Sequence, residues 1–301
     1  MGYYTPYEFK PQDARNFAKH VGIKCFERNG ELHFQQCPYC KQLTSDKRTF
    51  AISLKTGQFK CLRESCEAQG NMITLSQDFD FSLGNTADEY YLMLKSMFDA
   101  YDFDAAIISS VVPVLTSAFV KLFKNHYNVD PMIVGPGVKT GIQLKVDDPK
   151  TVGADIICDC AGAMQKYNEA IIVDLGTATK YIYCANNTFY GVSIAPGVAI
   201  SMKAMVSNAA LLPNIELTKP NKIIGTNTIS CMQSGIMYSS AASVDGMIKG
   251  IKKEINKPDI KVIATGGLSK IIIPICENEI ELDGSLTMNG LLSIYLKNVA
   301  K

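Results

Sequence analysis

The stretch that decides the fold is residues 171–184, Ile-Ile-Val-Asp-Leu-Gly-Thr-Ala-Thr-Lys-Tyr-Ile-Tyr-Cys. A β-branched run ends at Asp174, and a turn rich in glycine and threonine leads directly into a second strand pattern. A third strand pattern, Phe189–Ile194, follows the turn signal at residues 186–187. An Asp at a strand end followed by Gly and hydroxyl residues lets backbone N–H groups and Thr hydroxyls approach phosphate oxygens or a cation. The same turn is also compatible with an ordinary hairpin.

Strand and helix patterns alternate on both sides of this stretch, which favours an α/β fold with a largely parallel sheet. A second glycine turn, Thr265-Gly-Gly-Leu268, follows another strand pattern and suits the close approach of a nucleotide, or simply a tight strand–helix connection. The predicted strands are Ala105–Val112, Met132–Val134, Ile171–Asp174, Lys180–Cys184, Phe189–Ile194 and Lys261–Ala264. The predicted helices are Pro11–Val21, Asp88–Tyr101, Leu115–His126, Lys150–Tyr167, Val198–Leu212, Ile229–Lys253 and Leu286–Asn298.

A carboxylate opens one of these helices, in Gly153-Ala154-Asp155. The helix dipole stabilises the charge of Asp155, so this carboxylate can stay ionised and accept a hydroxyl proton. The alternative is a first-turn Asp that only stabilises its helix, with Asp159 as a solvated neighbour one turn later.

Four cysteines lie upstream as Cys37-x2-Cys40 and Cys61-x4-Cys66. Two close pairs supply four soft ligands to a tetrahedral zinc ion at low loop-closure cost. The insert between them, with Thr49–Ser53 and Gln58–Lys60 around a glycine turn, predicts a β-hairpin. The spacing therefore predicts a structural zinc site; buried free thiols are the alternative.

Composition limits the classes of function. The 301 residues favour two domains, and a formal charge of +1 gives no strong field to attract nucleic acid or membranes. No apolar run is long enough to span a bilayer, and no signal peptide is evident. Ten cysteines in an unexported chain indicate reduced thiols or metal ligands, and we expect a cytoplasmic protein.

Residues 1–82 resemble the zinc-binding domain of bacterial and phage primases. The resemblance rests on Tyr4-Thr-Pro-Tyr-Glu-Phe9, the two cysteine pairs, Thr49-Phe-Ala-Ile-Ser53 and Gly70-Asn-Met-Ile73. In that family the ribbon contacts single-stranded template, which implies single-stranded DNA as a partner. Exposed Phe50, Phe59, Lys55 and Lys60 would then stack on bases and contact phosphates. An ordinary hairpin with an aromatic core face is the alternative.

The rest of the chain, from about Thr86 to Asn298, resembles the type III pantothenate kinases. That family has an actin-like, duplicated ribonuclease-H-type fold and acts as a homodimer. It uses ATP, Mg²⁺ and a monovalent cation (K⁺ or NH₄⁺) to phosphorylate pantothenate in the first step towards coenzyme A. The motifs that carry the resemblance are Ile107–Pro113, Gly135–Gly141, Gly153–Asp155, Asp174–Thr179, Ile194–Gly197, Ile224–Thr228, Met232–Gly235 and Ala264–Gly267.

The resemblance implies roles for individual residues. Asp155 would be the base that deprotonates pantothenate, and Asp174 would hold the monovalent cation. Pantothenate contacts fall on Gly153, Ala154, Ile156 and, from the partner subunit, Thr228; nucleotide contacts fall on Gly176, Thr177, Gly266 and Gly267.

This chain departs from the kinase pattern at its start. The family opens with an Asp-x-Gly-Asn-Thr loop that organises the metal and the phosphates, whereas here Gly84-Asn85-Thr86 is preceded by Ser82 at the Asp position. We therefore expect a zinc ribbon over 1–82 and, over 83–301, a kinase fold that lacks its first strands and exposes a sheet edge. A catalytically silent kinase fold carrying a nucleic-acid-binding ribbon is the alternative function.

Overall fold

The chain divides into two compact units in the computed structural model. One unit comprises residues 1–106 with 112–131, and the other comprises 107–111 with 132–301. The expected boundary near residue 82, with Ser82 and the 84–86 segment, lies outside the described residues. The structure describes residues 9–41, 50–61, 65–66, 68–79, 87–98, 101–209 and 212–300.

Residues 9–79 form a small antiparallel sheet with a helix at each end of the segment, which we call the cysteine ribbon. Its five strands follow chain order, and the predicted hairpin is confirmed because β3 pairs antiparallel with β4. The elements are α1 (Pro11–His20), β1 (Cys25–Arg28), β2 (Glu31–Phe34), β3 (Phe50–Ser53), β4 (Phe59–Cys61), β5 (Gln69–Gly70) and α2 (Met72–Asp78).

The aromatic residues of this hairpin face inward. Phe50 is 0% and Phe59 4% exposed, and they pack with Phe17, Phe34 and other apolar side chains. Of the two interpretations of this hairpin, the ordinary one with an aromatic core face is confirmed, and the one that needs exposed Phe50 and Phe59 rings is wrong. Successive strand residues point to opposite faces, so the alternation that buries these rings leaves Lys60 outside.

Two helices follow, α3 (Ala87–Phe98) and α4 (Pro113–Tyr127), close to the predicted bounds. Aromatic rings join them: Phe98 and Phe123 lie 6.0 Å apart, and Tyr91 stacks on His126 at 3.9 Å. His126 Nε2 also lies 2.8 Å from Asp88 Oδ1. The helix predictions are confirmed, and Asn128 closes α4 in the left-handed conformation.

The other unit is built on a six-stranded sheet, which we call the large sheet, in the order β13-β12-β9-β10-β11-β8. The three central strands pair antiparallel, and β12 and β13 add in parallel beside β9. This is the ribonuclease-H-type arrangement of actin-like proteins, so the predicted fold class is confirmed. The strands are β8 (Gln143–Leu144), β9 (Glu169–Leu175), β10 (Ala178–Ala185), β11 (Thr188–Pro196), β12 (Val262–Thr265) and β13 (Glu281–Leu282).

Helices cover both faces of the large sheet, with a buried apolar cluster under each face. Two glycines allow α5 and α9 to cross closely, because a Cβ on Gly162 or Gly290 would overlap backbone atoms of the facing helix. The helices are α5 (Ala154–Ala163), α6 (Val198–Asn208), α7 (Thr228–Glu254), α8 (Ser269–Ile272) and α9 (Leu286–Val299), with short 3-10 turns at Pro149–Thr151 and Ile273–Ile275.

The predicted strand at Ala105–Val112 is much shorter than expected. Only β6 (Ile107–Ile108) forms, half-buried, and it pairs in parallel with β7 (Met132–Ile133). Within the described residues this is a separate two-stranded sheet. A membrane-spanning helix is not found among the described residues.

Candidate functional site

Three turns of the large sheet come together at one edge. The β9–β10 turn holds Gly176 and Thr177, and a Cβ on Gly197, at the β11–α6 turn, would overlap the Thr177 carbonyl oxygen. Gly266, in the β12–α8 turn, has φ +91°, and its Cβ would lie 2.5 Å from the Leu175 carbonyl carbon. The two glycine turns seen in the sequence are therefore packed on each other. Thr177 and Gly267 are exposed and accessible to a ligand.

Asp155 stands at the start of α5, where Gly153 is the N-cap residue. A side chain on Gly153 would overlap Asp155 Oδ1, so glycine leaves room for this carboxylate. Asp155 Oδ1 accepts the backbone N–H of Ile156 at 2.9 Å. Ala154 is partly exposed, whereas Ile156 is 5% exposed and lies in the apolar core.

Lys180 joins the two aspartates that the sequence singled out. Its Nζ donates to Asp155 Oδ2 and to Asp174 Oδ2, each at 2.6 Å. The contact to Asp174 follows from register, because Lys180 and Asp174 are cross-strand partners in β10 and β9. Burial lowers the pKa of Lys180, but the Asp174 charge and the hydrogen bonds to both carboxylates outweigh burial and raise it above its usual value. The ammonium is therefore firmly protonated.

Asp159 lies one turn after Asp155 and is fully buried. Thr287 Oγ1 donates to Asp159 Oδ1 at 2.5 Å, and Asp159 Oδ2 has no hydrogen-bond partner among the described residues. Burial, followed by the charge of Asp174, raises the pKa of Asp159 to about 8. The interpretation of Asp159 as a solvated neighbour was wrong. Its position inside the apolar run 156–163 was the signal that pointed to burial.

A cavity of about 620 Å³ opens between the large sheet and helices α6 and α7. Its size is in the range of small-molecule sites, and its wall combines apolar side chains with Thr179 and several serine hydroxyls. Leu175 and Pro196 place it beside the converging turns. Thr228 is exposed at the first residue of α7, one turn before Met232 in the cavity wall.

The cysteines form a second candidate site, in the cysteine ribbon. The sulfurs of Cys37, Cys40, Cys61 and Cys66 all lie within 4.8 Å of one another, the only such metal-capable group among the described residues. A tetrahedron with Zn–S bonds of about 2.3 Å has sulfurs about 3.8 Å apart. The Cys37–Cys66 sulfur separation is 3.8 Å, so the four thiols fit this ion.

A family model described as type III pantothenate kinase matches residues 67–250. Three type III pantothenate kinases are close relatives in sequence. The chain is 45% identical over 221 residues to the protein of Halalkalibacterium halodurans, covering 71% of this chain and 87% of that protein. It is 42% identical to the Acholeplasma laidlawii protein over 212 residues, covering 70% and 85%. It is also 42% identical to a Geobacillus protein over 227 residues, covering 73% and 88%.

Proposed function

This chain belongs to the type III pantothenate kinase family, and from that premise we propose that it phosphorylates pantothenate with ATP in the cytoplasm, the first step towards coenzyme A. The observation that carries the proposal is the position of Asp155, at a helix N-terminus and joined by Lys180 to Asp174 and the converging glycine turns. Phosphoryl transfer depends mainly on positioning and charge stabilisation, and this arrangement supplies both.

Asp155 is the proposed base. Its carboxylate accepts the proton of the pantothenate hydroxyl while the hydroxyl oxygen forms a bond to the γ-phosphorus of ATP. The bond from that phosphorus to the β,γ-bridging oxygen breaks, and ADP leaves with the electron pair. The helix N-terminus and the Lys180 ammonium both place positive charge beside the Asp155 carboxylate.

The glycine turns are the proposed phosphate and nucleotide contacts. Gly176 and Thr177 offer backbone N–H groups and a hydroxyl, while Gly266 and Gly267 let a nucleotide approach the backbone closely. Mg²⁺ neutralises charge on the ATP phosphates when it is bound. The hard oxygen donors it prefers are present in Asp174, whose Oδ1 faces the Gly266 turn. The 620 Å³ cavity beside these turns is the proposed pocket for an organic part of the substrates.

An exposed apolar surface supports the proposal of a homodimer. Ile224 is 81% exposed, and four further isoleucines are exposed on or near α6 and the start of α7. Thr228 is exposed and lies between Ile224 and Ile229 in the chain, as expected of a residue that reaches pantothenate in the partner subunit. The surface comprises Ile194, Ile200, Ile223, Ile224 and Ile229. Sedimentation velocity should show a dimer that Ile224→Asp converts to a monomer, whereas Met288→Asp, a control at an exposed apolar residue of α9, should not.

We also propose that the cysteine ribbon holds one Zn²⁺ on Cys37, Cys40, Cys61 and Cys66. Metal analysis should give one zinc per chain, lost in Cys37→Ser and kept in Cys25→Ser, which alters an exposed cysteine. Of the four side chains expected to contact single-stranded DNA, Lys55 and Lys60 are exposed while Phe50 and Phe59 are buried. With no stacking platform from these rings, DNA binding rests on two lysines and is not our proposed function.

A coupled assay of ADP release with pantothenate, ATP, Mg²⁺ and K⁺ tests the kinase proposal. Loss of the base should lower kcat about 10²- to 10⁴-fold in Asp155→Asn. Asp259→Asn, an exposed aspartate outside the site, is the matched control and should keep wild-type activity. Equal rates for wild type and Asp155→Asn would refute the proposal.

A further inference from the structure

Lys180 occupies the place where a monovalent cation was expected. The sequence resemblance assigns such an ion to Asp174. In this chain Asp174 Oδ2 already accepts a hydrogen bond from the Lys180 ammonium at 2.6 Å, and the same nitrogen donates to Asp155 Oδ2. The residues present therefore do not fit a free K⁺ or NH₄⁺ at Asp174 Oδ2, whose position toward Asp155 the ammonium already fills.

The Lys180 ammonium is chemically close to the ion that it excludes. It is a compact single positive charge with three N–H donors, in effect an ammonium ion carrying an alkyl substituent. Two of its donors are accounted for by Asp155 and Asp174, and one remains for a further oxygen ligand. The side chain is only 12% exposed, so the charge sits in the site and not in bulk solvent.

The two carboxylates need a positive charge between them. Asp155 Oδ2 and Asp174 Oδ2 can be no farther apart than the two N–O distances together, and Asp159 is buried one turn below Asp155. Like charges at such a distance repel strongly where water is scarce. A tethered cation relieves this repulsion without being drawn from solution, because β10 holds it opposite Asp174.

We propose that Lys180 is a built-in ammonium that takes the role of the monovalent cation, so that this kinase needs neither K⁺ nor NH₄⁺. The catalytic role of Lys180 rests on the proposed kinase function. The absence of a site for a free monovalent cation at Asp174 Oδ2 does not depend on that function. Removing the ammonium while leaving space for an ion should create a K⁺ site in Lys180→Ser.

Thermal unfolding tests the cation site without any reaction. Wild type should unfold at the same temperature in KCl and in choline chloride of equal ionic strength. In Lys180→Ser, K⁺ should raise the unfolding temperature of the large sheet by about 2–4 °C, as expected for an ion that binds only the folded state. Li⁺, which is much smaller, should not do so. Lys166→Ser is the matched control, since Lys166 also pairs with one aspartate at 2.6 Å but outside this site.

Kinase activity is measured in the same salts and with the same variants. Wild type and Lys166→Ser should phosphorylate pantothenate equally in K⁺ and in choline, whereas Lys180→Ser should be active only in K⁺. K⁺-dependent activity or stability of wild type would overturn the inference, whatever the variants do. So would a folded Lys180→Ser, or Lys180→Gln if the serine variant does not fold, that shows no K⁺ response. If no chain phosphorylates pantothenate, the proposed function fails while the thermal comparison still decides the cation question.

Discussion

The cysteine ribbon and the large sheet bury their apolar side chains in different ways. The ribbon has strands of two to four residues and one small cluster, which includes the sulfurs of Cys37 and Cys61. The large sheet has central strands of seven to nine residues and a buried cluster on each face. Below about 80 residues a single apolar core rarely suffices, so small domains use metals or disulfides. Stability should therefore come from the metal in the ribbon and from burial in the sheet.

The largest expected effect is the loss of zinc. A chelator should unfold the cysteine ribbon, because structural zinc contributes roughly 10 kcal/mol or more to such domains. The large sheet should keep its unfolding temperature, since none of its residues belongs to the cysteine group. Calorimetry with and without chelator would show one transition that disappears and one that stays. Cys37→Ser should behave like the chelated protein, and a sheet transition that also shifts would contradict the comparison.

Matched truncations should give the next largest effect. Phe50 in the ribbon and Phe189 in the large sheet are both almost completely buried. Replacing either by Ala should cost about 3–5 kcal/mol of unfolding free energy. Phe50→Ala should weaken the zinc affinity of the ribbon, whereas Phe189→Ala should only lower the midpoint of sheet unfolding.

Hydrogen exchange would locate each loss in its own unit. Equal protection of the ribbon amides in wild type and Phe50→Ala would show that its aromatic core contributes little. That result would leave the metal as the dominant source of ribbon stability.

Long, periodic elements could be predicted from the sequence more completely than short ones, although the two-residue strand β7 was also found, as Met132–Val134. The strands β9, β10 and β11 were found within a few residues, because β-branched runs and turn residues mark them locally. The two-residue strands β8 and β13 were missed, since a pair of residues has no period to detect. The run 105–112 was predicted as a full strand, but strand length depends on neighbours that a local pattern does not contain.

The site was predicted in its parts but not in its connections. Asp155, Asp174 and the two glycine turns were identified from motifs, and the structure brings the carboxylates and turns together. Lys180 was missed, although it directly follows the motif, because its bond to Asp155 depends on how α5 packs on the sheet. Whether Phe50 faces the core or the solvent was also undecided from the sequence. The alternation of residues along β3 predicts that the strand has two faces, but it does not show which face α1 covers.

The stabilities of the large sheet and of the cysteine ribbon should change with pH in opposite directions. The raised folded-state pKa of Asp159, about 8, exceeds the ordinary 3.8. Its contribution to stability is therefore present at low pH and is lost as pH rises towards 8. Wild-type sheet stability should fall by about 1.4 kcal/mol per pH unit from this group, roughly 3 kcal/mol between pH 5 and 7. Asp159→Asn, which stays neutral, should lack this fall.

The ribbon should show the reverse trend, because acid protonates zinc-bound thiolates and releases the metal. No carboxylate is buried among the described residues of the ribbon. The ribbon therefore has no group like Asp159 whose ionisation would lower its stability as the pH rises. Chemical denaturation at pH 5, 6 and 7, followed separately for each unit, measures both slopes. A sheet slope that is the same in wild type and Asp159→Asn would show that Asp159 is ionised across this range.

The smallest effect comes from paired glycine substitutions, one in each unit. Gly57 in the ribbon and Gly266 in the large sheet both have positive φ, so alanine is strained at either position, at about 1 kcal/mol or somewhat more. The surroundings differ. A Cβ at Gly57 would lie 2.7 Å from the ring of Phe9, a side chain that can rotate away. A Cβ at Gly266 would lie 2.5 Å from the backbone of Leu175 and 2.7 Å from Asp174 Oδ1, and neither can move without disturbing β9.

Gly266→Ala should therefore cost about 2–3 kcal/mol and lower kinase activity by displacing Asp174, whereas Gly57→Ala should cost about 1 kcal/mol. Gly267→Ala is the control for stability alone, because a Cβ there meets open space. Urea midpoints of the two units would give the three values. If Gly57→Ala proved as costly as Gly266→Ala, the ribbon turn would be as rigid as the sheet turn, and the contrast between a metal-held unit and a packed one would not extend to their turns.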